Sequence, residues 1–413
     1  MFKKVIYNTG SQIAGKVVSA TSTLIITLLI GKSLGPAGFG EFTKIFVFIG
    51  YFYTFADFGF NSIYVKEKSQ NSTFRVLIGL RIVLSLILAI IAIIISLVLP
   101  YNPEASVGFS PQVKLGIIFA SLTIITQALF TSASALFQKK LRYDLSSIAT
   151  VFGSVVMMIA ALFLYLTTSS ILPYVFIYIL GGITFVLVSF TLIVEKFQQS
   201  ISPIFDKQQF KSLITLSWPI GVALILNLVY FRIDVLILAN SRSSTEVGLY
   251  GLSYQFFQAA LAVPIFFANA LFPILARLFE KNIAEFNKTI KSYLIYLTLI
   301  SLGLTAFLVL VSYLIPVIYD PRYTGSGIAL RILALGMPFF FISALLWHQL
   351  IIYNKQKLLI YVYAIGAAFN LLANIVFIPI YGYIAASTIT VISEILVTIL
   401  LVLASRQNRF VKS

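Results

Sequence analysis

Apolar positions in this chain run on for twenty residues or more, with polar residues gathered between the runs rather than alternating along them. The hydrocarbon core of a bilayer takes roughly 20 helical residues to cross. On that measure the sequence predicts twelve spanning helices. The first six are Ser11–Ile30, Phe39–Tyr64, Phe74–Leu99, Val113–Leu136, Ser146–Leu166 and Ile171–Val194. After a polar stretch come Leu213–Ala239, Val247–Ala276, Ile290–Leu314, Ile328–Ile352, Leu358–Ile378 and Tyr383–Ala404. The fold class expected is an all-α integral membrane protein.

Charge refines the pattern into a topology. With the N-terminus placed in the cytoplasm, twenty of the 29 Lys and Arg fall in cytoplasmic segments. Four, Lys32, Lys114, Arg242 and Arg322, fall on the opposite side, and Lys16, Lys44, Arg81, Arg232 and Arg331 lie within spans. That bias satisfies the positive-inside rule and predicts that both termini are cytoplasmic. It also accounts for the net charge of +16 without nucleic acid as a partner. The longest interruption, Glu195–Ser212, divides the chain into a six-helix lobe at 1–194, a linker at 195–212 and a second six-helix lobe at 213–413. Ala37-Gly38-Phe39 is echoed by Val247-Gly248-Leu249, each opening the second helix of its half. Two such halves place a binding site in a central cavity between them. One chain supplies both lobes, so a monomer suffices.

Composition agrees and excludes several chemistries. The chain of 413 residues is 60% hydrophobic and 10% charged, where soluble domains are near a quarter charged. There is no cysteine and one histidine, His348, which argues against disulfides, thiolate metal sites and histidine-based catalysis. No phosphate-loop or dinucleotide spacing occurs, and no cofactor is expected. The 22 Tyr fall largely near helix ends, as interface belts require.

The ionisable residues inside the spans are the candidates for function, because each is costly in lipid and survives where it meets a partner or a water-filled cavity. Lys16 lies among Ser11, Gln12, Ser19, Thr21, Ser22 and Thr23. It either snorkels to the surface or faces a cavity. Arg81, Lys44 and Arg331 carry the same two readings, and Lys44 has a third as an i,i+3 partner of Glu41. Arg232 and Asp234 stand two apart, which turns them to different sides of a helix, so each is expected to meet a polar neighbour on another helix. Asp57 and Glu394 are deeply placed acids. Each is read either as a structural hydrogen-bonding group or as a carrier of a proton or sodium ion.

Several stretches together resemble one family. Gly31-Lys32-Ser33-Leu34-Gly35-Pro36-Ala37-Gly38-Phe39-Gly40-Glu41-Phe42 is similar to the first outer turn of the polysaccharide transporters of the MOP superfamily. Asp57-Phe58-Gly59 matches their Asp-x-Gly at the end of the second helix. Arg232-Ile233-Asp234, Val247-Gly248-Leu249-Tyr250 with Tyr254, and Pro273-Ile274-Leu275-Ala276-Arg277 resemble the seventh and eighth helices. Asn370 to Ala386, with Asn374, Pro379 and Gly382, resembles the eleventh-to-twelfth turn. The resemblance spans nearly the whole chain and is nearest to the Wzx-type flippases for O-antigen or capsule repeat units.

The resemblance implies that an undecaprenyl-pyrophosphate-linked oligosaccharide is turned from the cytoplasmic to the outer leaflet of a bacterial cytoplasmic membrane by alternating access. Membrane lipids and other polysaccharide-assembly proteins are the further partners it implies. A pyrophosphate crossing a low-dielectric core needs fixed positive charge. Lys16, Arg81, Arg232, Lys44 and Arg331 are the substrate-binding candidates on that ground, with Glu394, Asp234 and Asp57 as candidates for coupling to a sodium or proton gradient. The competing readings are a MATE-like drug or metabolite antiporter and a membrane glycosyltransferase or polymerase. An antiporter is expected to carry an excess of embedded acids, whereas here the excess is basic. An enzyme is expected to present a sizeable outer loop with carboxylates or arginines at the chemistry, whereas the longest, Pro100–Gln112, has Glu104 as its only charge. The lipid II flippases of the superfamily are expected to carry fourteen spans rather than twelve.

Overall fold

The computed structural model describes the backbone of residues 2–66 and 71–406, and the side chains of residue 15 and of residues 18–66 and 72–405. Among the described residues it is helical with one short hairpin. In order the elements are α1 (Phe2–Asp57), α2 (Phe60–Lys66), α3 (Asn71–Val98), β1 (Tyr101–Asn102), β2 (Val107–Gly108), α4 (Pro111–Ala120), α5 (Leu122–Lys139), α6 (Tyr143–Thr167) and α7 (Ile171–Phe197). There follow α8 (Lys207–Ser241), α9 (Ser244–Lys281), α10 (Ile283–Ile318), a 3₁₀ turn at Pro321–Tyr323, α11 (Thr324–Ala334), α12 (Met337–Ile352) and α13 (Gln356–Arg406).

Helix lengths recover the expected spans once the breaks are read. A straight α1 would be about 84 Å long at 1.5 Å per residue, far more than a bilayer core of about 30 Å. It is broken at Gly35 (φ 64°, ψ 179°), and the following Pro36 opens the next helical run at the position where its missing N–H costs nothing. The 51-residue α13 is broken in the same manner at Gly382 (φ 58°, ψ −137°). Among the described residues nine helices are long and apolar enough to cross a membrane, or ten when α11 and α12, bent by 42° to each other, count as one span. Since α1 and α13 each hold two spans, twelve result. The turn expected at Gly31–Gly38 is thus a break inside a helix rather than a loop. The fourth span is two helices, α4 and α5, meeting at Ser121.

Local chemistry sets the helix ends. Ser110 accepts from the Val113 amide at 3.2 Å ahead of Pro111, Asp206 accepts from the Gln208 and Gln209 amides at 2.9 and 3.0 Å to open α8, and Asn282 accepts from two amides at the start of α10. Each satisfies donors that a helix start leaves open.

By their contacts the residues form two compact units. The first comprises Met1–Leu228 with Ser243–Thr245, and the second Val229–Arg242 with Glu246–Ser413. In the first, α1 packs on α6, α6 on α7, and α5 on α3 and α7. A buried cluster of Phe60, Tyr64, Phe74, Leu77, Leu136 and Phe137 forms part of its core. In the second, α10 packs on α11 and α12, and α13 on α11 and α12. Its apolar clusters centre on Leu346, Leu350, Val397 and Leu401 and on Phe286, Leu297, Phe341 and Leu345. Ile90, Ile94, Phe163, Leu187, Leu310 and Ile360 stay exposed, as lipid-facing side chains of spanning helices do.

Candidate functional site

In the first unit Arg81 and Lys44 are engaged by their immediate surroundings. Arg81 on α3 is fully buried and donates to Asp57 Oδ1 at 2.7 Å, to Asn61 Oδ1 at 2.9 Å and to the Asp57 carbonyl at 3.5 Å. It also reaches the Ala128 carbonyl and the Ser132 hydroxyl, both at 3.3 Å. These contacts surround the place where α1 stops and α2 begins, at Phe58 (φ 43°) and Gly59 (φ 77°). The guanidinium thus pairs the carboxylate and accepts the charge of a helix end whose carbonyls have no intrahelical partner. Asp57 and Arg81 form a brace at this break.

Lys44 is also buried, at 1% exposure. Its ammonium donates to the Gly108 carbonyl at 2.6 Å and to the Ser244 hydroxyl at 2.9 Å. Ser244 in turn donates from its amide and hydroxyl to the Ser106 carbonyl at 3.1 and 3.2 Å, and Val107 bridges Ser243. Lys44 therefore sits inside a knot made by the β1–β2 hairpin and the start of α9, not at a surface. Lys16 lies within α1, but its side chain falls outside the described residues.

The second unit gathers the remaining candidates. Tyr230 and Asp234 are one turn apart on α8, and Glu394 and Thr390 are one turn apart on α13. Tyr230 donates to Glu394 Oε2 at 2.9 Å, and Thr390 lies 3.4 Å from Asp234 Oδ2. The four residues make two rungs between an antiparallel helix pair. Ser343 on α12 donates to the other Glu394 oxygen, and Tyr250 on α9 donates to Asp234. The Val235 amide donates to Asp234 Oδ1 at 2.7 Å. Asp234 and Glu394 are 3% and 2% exposed, and among the described residues neither has a basic group within ion-pair distance. Their donors are hydroxyls and one amide. A buried ionised carboxylate without a positive partner is costly.

Arg232 turns to the other side of α8. Its guanidinium donates to Gln258 Oε1 at 2.5 Å and lies 4.9 Å over the ring of Tyr254, both on α9. It is half-buried and, among the described residues, has no carboxylate within ion-pair distance. Arg331, in the last turn of α11, lies 4.7 Å over the ring of Tyr313, itself 59% exposed, and joins neither carboxylate.

The sequence reading left out Tyr230, Ser343, Tyr250, Gln258 and Thr390 as partners, since hydroxyls and amides are common in spans and signal nothing alone. It also left out a clamp at the α13 break. Arg242 donates to Glu246 at 2.7 Å and to the Pro379 carbonyl at 3.4 Å, while Glu246 accepts from the Tyr383 amide at 3.2 Å. A cation thus meets the end of one helical run and an anion the start of the next, the arrangement helix dipoles favour. The i,i+4 spacing of Arg242 and Glu246 was the available signal.

The chain is similar to known proteins in sequence and in fold. The family model described as "Polysaccharide biosynthesis protein" matches residues 1–279, and the MatE model matches residues 219–380. No curated protein sequence matches the chain. Among solved structures, the lipid II flippase MurJ in an inward closed conformation aligns with 97% of this chain and 87% of its own at 16% identity and a TM-score of 0.74. An inward-facing multidrug resistance MATE family transporter of the MOP superfamily aligns over 96% of both chains at 12% identity and a TM-score of 0.75. A MOP superfamily transporter from Pyrococcus furiosus, described as having a binding pocket of reverse polarity, aligns over 98% of this chain and 95% of its own at 14% identity and a TM-score of 0.60. The fold is that of the MOP superfamily.

Proposed function

This chain belongs to the polysaccharide biosynthesis protein family, and we propose that it turns an undecaprenyl-pyrophosphate-linked oligosaccharide from the cytoplasmic to the outer leaflet of a bacterial cytoplasmic membrane by alternating access. The observation that carries this reading is Arg232. It is a half-buried guanidinium within a span, held by a neutral amide and a ring, with no carboxylate at ion-pair distance among the described residues. A planar fork of donors that is positioned but not neutralised suits a phosphate, which it can grip with two parallel hydrogen bonds. Arg81 and Lys44, already engaged at a helix end and a loop knot, are assigned to holding the first unit together. Lys16 is kept as a separate candidate for a head-group contact. The lipid II flippase fold supports a lipid-linked cargo, with the polyprenyl tail left in the bilayer.

Asp234 and Glu394 are the proposed coupling groups. Each is buried and balanced only by hydroxyl and amide donors, so uptake of a proton or sodium ion removes an unpaired charge. Asp57, paired to Arg81, is assigned to the brace instead. The same two acids, with the MatE match over 219–380, favour a second reading as an ion-coupled drug or metabolite antiporter.

Reconstituted vesicles separate the two. A polyprenyl-pyrophosphate oligosaccharide with a fluorescent sugar, added to one leaflet, is expected to become accessible to a quencher on the other side only when the protein is present, and Arg232→Ala is expected to stop it. Movement of a fluorescent organic cation without movement of the lipid would select the antiporter.

A further inference from the structure

Arg232 and Asp234 point to different sides of α8, yet both end on one stripe of α9. Tyr250, Tyr254 and Gln258 follow each other at four-residue intervals, which stacks them along one helix face. Tyr250 donates its hydroxyl to Asp234 Oδ2. Tyr254 lies against Tyr250 with ring centroids 5.6 Å apart and donates its own hydroxyl to the Phe231 carbonyl at 2.7 Å. The Arg232 guanidinium then stacks on Tyr254 and donates to Gln258. Tyr250 and Tyr254 are buried at 0% and 2% exposure, so neither ring can shift without moving its neighbour in a close-packed interior.

We infer that Tyr250, Tyr254 and Gln258 are positioning residues forming a rail that links the Asp234 carboxylate to the Arg232 guanidinium, so that neutralising the acid strengthens capture of a phosphate anion by the arginine. The inference rests on the proposed anion role of Arg232. Its physical content has two parts. An ionised Asp234 holds the Tyr250 hydroxyl, and through the ring contact it sets where the Tyr254 platform lies under Arg232. Once a proton or cation neutralises Asp234, its oxygen becomes a weaker acceptor, so that hold loosens and the Tyr254 platform frees the guanidinium to meet an anion. The direct loss of negative charge near Arg232 is the smaller contribution. Linkage makes the effect mutual: a phosphate bound at Arg232 favours the neutral form of Asp234. Cargo and coupling ion would thereby report to each other within one unit.

The test is a double-mutant cycle on the full chain in lipid nanodiscs, with inorganic pyrophosphate as the probe and calorimetry as the readout at one pH and ionic strength. Asp234→Asn stands for the neutral acid. It is expected to tighten pyrophosphate binding about fivefold in the otherwise unaltered protein, the lower end of measured site-to-site coupling. In a Tyr250→Phe background, which keeps the ring and removes the hydroxyl, the same change is expected to shift affinity less than about twofold. Equal fold-changes in both backgrounds would overturn the rail while leaving the anion site standing. No pyrophosphate binding by the unaltered protein would instead refute the anion role of Arg232 and the rail with it.

Tyr254→Leu provides an independent reading if Tyr250→Phe does not fold. Removing the platform is expected to weaken pyrophosphate binding about tenfold, as loss of a desolvated cation–π contact does, and to flatten the response to Asp234→Asn. Tyr254→Phe, which keeps the ring, is expected to retain both. Wild-type affinity and response in Tyr254→Leu would contradict the inference.

Discussion

At the scale of single residues, what separates the embedded cations is what already surrounds them. Arg81 and Arg232 each stand in an apolar run, and Arg232 alone has an acid, Asp234, two residues on. One is fully buried against Asp57 and three further acceptor groups, and the other is half-buried on a tyrosine ring. Asp57→Ala leaves Arg81 buried without its counter-charge, which is expected to cost about 3 kcal/mol of stability and to lower the protein's midpoint in thermal unfolding. Arg232→Ala is expected to leave that midpoint within a degree or two while abolishing lipid export. Equal loss of protein level in both variants would give Arg232 a structural role as well. The spacing of Arg232 and Asp234 was readable before the structure, since two positions on a helix cannot share a face. Their partners were not, because Tyr250, Gln258 and Thr390 come from helices whose contacts no periodicity reports.

At the scale of elements, the spans themselves were plain in the sequence, since runs of twenty apolar residues leave few alternatives in a membrane. Their ends were less so. The segments around Gly35 and Gly382 read as loops, whereas the helices continue up to a single residue with positive φ on either side of which the backbone is helical. A side chain at Gly382 would carry the strain of that φ and also meet the Glu246 carboxylate. Gly382→Ala is therefore expected to destabilise the protein by about 1–3 kcal/mol, measurable as faster proteolysis near the break. Glu246→Gln keeps an acceptor for the Tyr383 amide but loses the charge facing Arg242. It is expected to cost less than Gly382→Ala, and an equal or larger cost would show that the ion pair rather than the backbone geometry holds the break. The hairpin between α3 and α4 and the Lys44 knot had no sequence signal beyond a short polar loop, since their hydrogen bonds run to backbone carbonyls and to a serine hydroxyl 200 residues away.

At the scale of the whole molecule, composition and charge asymmetry pointed to a multi-pass membrane protein, and the motif order led to a family that the family match shows and to a fold shared with a MOP superfamily transporter. The proposed function at this scale joins cargo movement to an ion gradient. Glu394 is buried between Tyr230 and Ser343 with no basic partner at ion-pair distance among the described residues. Glu394→Gln is expected to slow gradient-driven transport severalfold without weakening cargo binding, as measured by rates in vesicles with and without an imposed gradient. An unchanged dependence on both proton and sodium gradients would remove Glu394 from the coupling path.

The central claim is that the cargo is a pyrophosphate-linked oligosaccharide moved between leaflets. The measurement that tests it most directly is the lipid-linked oligosaccharide content of cells depleted of this protein, with each leaflet assayed separately. The account predicts accumulation on the cytoplasmic leaflet of a lipid whose sugar unit is complete and whose pyrophosphate is intact, cleared by the wild-type gene and not by the Arg232→Ala variant. Unchanged lipid in both leaflets, together with new sensitivity to cationic drugs, would contradict it and place the protein with the antiporters.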